Sequence, residues 1–167
     1  PNGSKHWTEK LYKDKLERLS NVIFQLSKDN NNSALALLGV CEIENRNVLE
    51  DLLQTDKIRN QYLKIVHHNS PDLRGVDVAL IYQPKYFTVL QSQSIRIPLF
   101  EKDSTPRLTR DILMVKGKIG NELLFVFVNH WPSRRGGEES KTFRLIAAER
   151  VKHYADSIAL QNPEGKI

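Results

Sequence analysis

The sequence predicts a layered α/β fold, and three observations carry that prediction. Short continuous apolar runs, ALALLGVC at 34–41, VDVALIY at 76–82 and LLFVFV at 123–128, have the length of strands rather than helices. Stretches with apolar residues at helical spacing lie before, between and after them. The composition, 40% apolar and 27% charged over 167 residues, is that of one globular domain with enough chain to bury a core.

Taken in order, Leu11, Leu16, Leu19, Val22, Ile23 and Leu26 recur at helical intervals over 7–28, with Thr8 placed as the N-cap. KDNNNS, 28–33, is a polar break. ALALLGVCEIE, 34–44, predicts a strand buried on both faces. Val48, Leu49, Leu52 and Leu53 then share one side of a short helix, and 62–67 reads as a strand. SPDLRG, 70–75, is turn chemistry leading into the strand VDVALIY. An alternating segment covers roughly 87–97, residues 102–106 form a loop, and a strand over 110–116 turns at KGKIGNE into ELLFVFVNH. The last element is a helix over about 140–160, with Phe143, Ile146, Ala147, Val151, Tyr154 and Ile158 at helical intervals. There is no repeat, low-complexity tract or internal linker.

The net charge of +5 suits an anionic partner such as nucleic acid or a phosphorylated ligand. Cys41 is the single cysteine, so no internal disulfide forms. No apolar run approaches the roughly 20 residues of a membrane helix, and the compartment stays open. PNGSKHWTEK lacks an initiator Met and the apolar core of a signal peptide; LQNPEGKI halts as though a strand were beginning. Both ends lead us to expect the inside of a longer gene product.

Chemistry concentrates at strand ends. Glu42 leaves an apolar strand, where a carboxylate must be solvated, paired or bound to a cation. It suits a hard oxygen ligand for Mg²⁺, or equally an exposed ion-pair partner. His130 ends the most apolar strand, beside Asn129, with Arg134, Arg135, Gly136 and Gly137 following. Forked guanidinium groups match phosphate oxygens, and paired glycines let backbone approach a ligand, although Arg-Arg-Gly-Gly also makes an ordinary basic turn. Arg74 and Asp77 stand at the mouth of VDVALIY, and Arg110 opens the strand in LTRDILMV. In layered α/β proteins ligands gather where loops leave strand ends.

At these residues the chain resembles the endonuclease/exonuclease/phosphatase superfamily, metal-dependent phosphoesterases related to deoxyribonuclease I. GVCEIENRNVLEDL (39–52), DLRGVDVALIY (72–82) and FVNHWPSRRGGEESKTFR (127–144) carry the likeness, and WTEKLYKDKLERLSNVI (7–23) matches a helix following the family's opening motif. The resemblance implies a deoxyribonuclease-I-like four-layer α/β sandwich of mixed, mostly antiparallel sheets flanked by helices, with residues 1–167 a single, partial domain. Glu42 matches the metal-binding glutamate, with Cys41 in the place usually held by Gln, and His130 matches the histidine that hydrogen-bonds the scissile phosphate. Arg110 matches, more loosely, an arginine near the phosphate. Arg74, Asp77, Asn129, Arg134 and Arg135 are implied to contact substrate or support the site.

The implied activity is divalent-metal-dependent phosphoester hydrolysis, foremost by a nuclease or phosphodiesterase. A phosphatase acting on a sugar, lipid or nucleotide phosphate, and a non-catalytic binding module, are the alternatives. The implied cofactor is Mg²⁺, with Mn²⁺ or Ca²⁺ as substitutes. The family's opening Asn motif, its G-D-F-N and its Asp-His pair do not occur in this sequence. This chain alone is therefore expected to be inactive or nearly so. It is also expected to supply mainly one sheet, whose bare inner face the remainder of its domain or an oligomer partner would cover.

Overall fold

The computed structural model describes residues 7–29 and 35–167; most of the polar break at 28–33 lies outside them. Helix α1, Glu9–Asp29, begins where expected, Thr8 accepting a 3.3 Å hydrogen bond on Oγ1 from the Leu11 amide. Strand β1, Leu37–Ile43, runs into α2, Arg46–Leu53, through Asn45, whose extended backbone and side-chain oxygen cap the helix at Val48 N. Strands β2 (Lys64–His67), β3 (Asp77–Tyr82) and β4 (Thr88–Ile95) follow. A two-stranded hairpin, β5 (Leu99–Phe100) with β6 (Pro106–Arg107), precedes β7 (Ile112–Ile119) and β8 (Glu122–Val128). Helix α3, Gly137–Gln161, closes the series and starts three residues before the expected Ser140.

The expectation of mainly one sheet is wrong. The chain builds two three-stranded antiparallel sheets, ordered β1-β3-β2 and β4-β7-β8. The alternation along the strands explains how they stack. Val78 and Leu80 of β3 face Leu113 and Val115 of β7 and Val128 of β8 in a shared core, with Phe87 and Val66. Ala79 and Ile81 point the other way, under α1 and α2 with Ile23, Leu49 and Leu52. Ile112, Met114 and Phe125 point outward beneath Phe143 and Ala147 of α3. The order is thus helices, sheet, sheet, helix. The inner face of the first sheet is covered by the second, so the reason for expecting an oligomer partner there disappears.

Close approach in the shared core needs one glycine in particular. A side chain on Gly117 of β7 would sit 2.2 Å from the ring of fully buried Phe87. Strand β1 also differs from expectation: it pairs with β3 alone among the described residues and only Ile43 is fully buried, because it lies at a sheet edge. At the other end of the chain Lys166 pairs in parallel with Leu124 of β8, its amide donating to Leu123 O at 2.8 Å.

Candidate active site

The tips of β1 and β8, one from each sheet, meet at a cleft of about 670 Å³. The Cys41 thiol donates to Asn129 O at 3.5 Å and ties the two tips together. Burial, then the neighbouring Glu42 charge, pushes that thiol above its ordinary pKa, so it stays protonated at neutral pH. Glu42 is the extra residue of a bulge: Cys41 pairs with Val78 and Ile43 with Asp77, leaving Glu42 unpaired at φ 59°. That left-handed backbone costs a non-glycine residue about 1–2 kcal/mol, and such strain concentrates at functional sites. The bulge turns the carboxylate into the cleft, where its side chain is 56% exposed.

His130 Nε2 lies 3.4 Å from Glu42 Oε1, and Arg74 Nη2 lies 3.6 Å from the same oxygen. The pair read from sequence therefore shares one hollow. Burial lowers the His130 pKa, the Arg110 charge adds to the effect, and Glu42 only partly opposes it. The imidazole is consequently neutral at pH 7. Its Nδ1 is buried without a hydrogen-bond partner among the described residues.

Arg110 is placed underneath rather than in the open. Its side chain is 9% exposed, and all of its working nitrogens are taken. Nε donates to His130 O, Nη2 to Trp131 O and Nη1 to Asp72 Oδ2, each at 3.1 Å. Asp72, in turn, accepts from the Arg74 amide at 3.1 Å. Burial alone would raise the Asp72 pKa, but the Arg110 hydrogen bond and the two cations outweigh it and hold the carboxyl below its usual range. The result is a buried clasp across the loops after β2 and before β7 that fixes the backbone carrying His130. In the sequence Asp72 stands within turn chemistry and at the start of the DLRGVDVALIY segment, with its proximity to Arg74 the available signal.

The remaining expected residues lie around this centre. Asp77 is buried behind it, accepting from the Ser70 amide at 2.9 Å and 3.0 Å from His67 Nε2, and does not line the cleft. Asn129 accepts from the Trp131 indole at 3.3 Å. Arg134 and Arg135 are exposed on a single 3₁₀ turn next to the cleft, and neither guanidinium bonds to a described residue. Three hydrogen bonds brace the segment between: Ser140 Oγ donates to Ser133 O, and Arg144 Nη1 donates to Ser133 O at 3.2 Å and Ser140 Oγ at 2.7 Å.

A second cluster lines the same cleft and went unseen in the sequence. The guanidinium of Arg107 lies 4.8 Å from the ring centre of Phe143 and donates to Glu101 at 2.8 Å. Pro106, Leu108 and Glu139 stand beside it. The β5–β6 hairpin that carries it has strands of two residues, too short to show alternation.

Glu42 fits one place in the coordination shell of a hard divalent ion, since Mg²⁺ takes one or two carboxylates and completes its shell with water and phosphate oxygens. Asp72, the other carboxylate in this cluster, is spent on Arg110. No group of three or more His, Cys, Asp or Glu able to hold a metal occurs among the described residues.

Known structures of the same fold agree with this architecture. Truncated Caenorhabditis elegans TDP2 superposes with a TM-score of 0.62 at 22% identity, over 90% of this chain and 52% of that one. D. rerio TDP2 complexed with single strand DNA product gives 0.56 at 13% identity, over 82% and 48%. The Bacteroides thetaiotaomicron mannosyl-6-phosphatase gives 0.53 at 13% identity, over 86% and 52%. The chain thus spans about half the length of these structures. No curated protein matches it. The model of the Endonuclease/Exonuclease/phosphatase family matches residues 1–167, the whole chain, and the protein belongs to that family.

Proposed function

We propose that the complete gene product is a divalent-metal-dependent phosphodiesterase, acting on nucleic acid, and that this cleft holds the scissile phosphate. The observation that carries the reading is the convergence of Glu42 and His130, 3.4 Å apart at the mouth of one cleft, on strand tips from different sheets. Glu42 would hold the ion, which when bound polarises a phosphoryl oxygen and stabilises charge on the leaving group. Neutral His130 presents Nε2 to a phosphate oxygen and donates a hydrogen bond where negative charge develops. Arg110 and Asp72 keep that imidazole in register through the carbonyls they fix. Arg74, loosely paired with Glu42, supplies a second donor to the phosphate, and the exposed Arg134 and Arg135 attract a polyanion.

The Asp-His pair that would orient the attacking water is absent from these residues, so we propose that residues 1–167 alone turn over little or nothing. The test is hydrolysis of a phosphodiester and of a sugar phosphate by the full gene product, with Mg²⁺ and with EDTA. Diester turnover should stop with EDTA and fall at least about 100-fold in both Glu42→Ala and His130→Ala, the range for losing one transition-state contact. Undiminished rates in both variants would discard the site, and turnover of the sugar phosphate alone would move the substrate to the phosphatase class. Metal binding without any hydrolysis would indicate a binding module.

A further inference from the structure

The cleft is larger than a phosphate requires, and its two clusters differ in charge. Around Glu42 stand three cationic or hydrogen-bonding groups, Arg74, Arg110 and His130. The other cluster carries Arg107 already paired with Glu101, and Glu139 within 4.0 Å of Lys102. Its carboxylates would repel a second phosphate. What it offers instead is a partly desolvated cation–aromatic pair: the Arg107 guanidinium over the Phe143 ring, 4.8 Å from its centre, flanked by Pro106 and Leu108. Phe143 is 7% exposed and forms the floor; the Arg107 side chain is 42% exposed, so its outer face is open to the cleft. Arg107 Nη1 donates to Glu101 Oε1 at 2.8 Å, which restrains the guanidinium beside the ring.

Resting on the reading that a phosphate sits at Glu42 and His130, we infer that the Arg107–Phe143 pair is a subsite for a planar nucleobase attached to that phosphate. A base has a π-face for the guanidinium, carries no charge to meet Glu101 and Glu139, and can donate exocyclic amino protons to them. A sugar or an alkyl chain would use neither the plane nor the carboxylates as well. Lysine at 107 would keep the charge and lose the plane.

The test compares adenosine 5′-monophosphate with ribose 5-phosphate, which shares the phosphate and sugar but lacks the base, by calorimetric titration of the full gene product. Wild type should bind the nucleotide about fivefold to 100-fold more tightly, the range of a single base stack. Arg107→Ala and Arg107→Lys should both erase the preference while leaving ribose 5-phosphate affinity and thermal unfolding unchanged. Equal affinity for the two ligands in wild type, or a preference surviving in both variants, overturns the inference. The phosphodiesterase reading fails separately, through unchanged hydrolysis in Glu42→Ala and His130→Ala, whatever the base preference shows.

Discussion

Glu42 and Arg110 flank the same cleft, and the fold treats them in opposite ways. Glu42 sits on a strained bulge with φ 59°, more than half exposed, with partners at 3.4 and 3.6 Å that are too distant for strong hydrogen bonds. Arg110 is 9% exposed and makes three hydrogen bonds at 3.1 Å to two carbonyls and a buried carboxylate. One charge is kept available at a cost in backbone energy; the other is consumed in holding its neighbours. The resemblance implies an arginine near the phosphate, and here the Arg110 nitrogens are taken by the His130 and Trp131 carbonyls and by Asp72, so the side chain braces the backbone that carries His130.

That contrast predicts effects of different size and sign. Arg110→Ala leaves Asp72 buried without its partner and should lower unfolding free energy by about 3–5 kcal/mol in urea titration. A loss below about 1 kcal/mol would mean that the clasp is not structural. A smaller effect should appear with pH. The folded Asp72 carboxyl has a depressed pKa, so its contribution is present above the ordinary aspartate value and is lost as pH falls through the folded value. Between about pH 5 and pH 3, wild-type stability should therefore drop more steeply than that of Asp72→Asn. Parallel pH profiles would remove the ion pair from the account. Smallest, and opposite in direction, Glu42→Gly relieves the left-handed backbone and should raise stability by about 1 kcal/mol while abolishing function. A destabilised Glu42→Gly protein would show that the side chain holds the strand tip together.

Much of this was legible in the sequence, for physical reasons that differ by element. The long helices show because burial of one face imposes a period on their side chains, and β3 and β8 show because lying between layers makes them short continuous apolar runs. The stacking of two sheets followed from the family resemblance, which implies a four-layer sandwich, and not from the residues themselves, since pairing Val78 and Leu80 across to Leu113 and Val128 is a non-local event with no local signature. Strand β1 misled for the converse reason: ALALLGVC is apolar enough for the middle of a sheet yet lies at an edge. Glu42 and His130 stood out because a charged or titratable group ending an apolar run is costly without a role. Asp72 and Arg107 did not, because one looks like an ordinary turn former and the other sits on a two-residue strand.

The central claim, that Glu42 and His130 serve one cation-bound phosphate, can be read directly from the imidazole. With ¹³C-labelled histidine in the full gene product and Mg²⁺ present, inorganic phosphate should shift the His130 ring resonance, assigned through its loss in His130→Gln. Glu42→Ala should weaken the midpoint of that shift at least about tenfold, or about 1.4 kcal/mol of lost coupling. A ring that stays still while phosphate saturates the protein, or an identical titration without Glu42, would contradict the account.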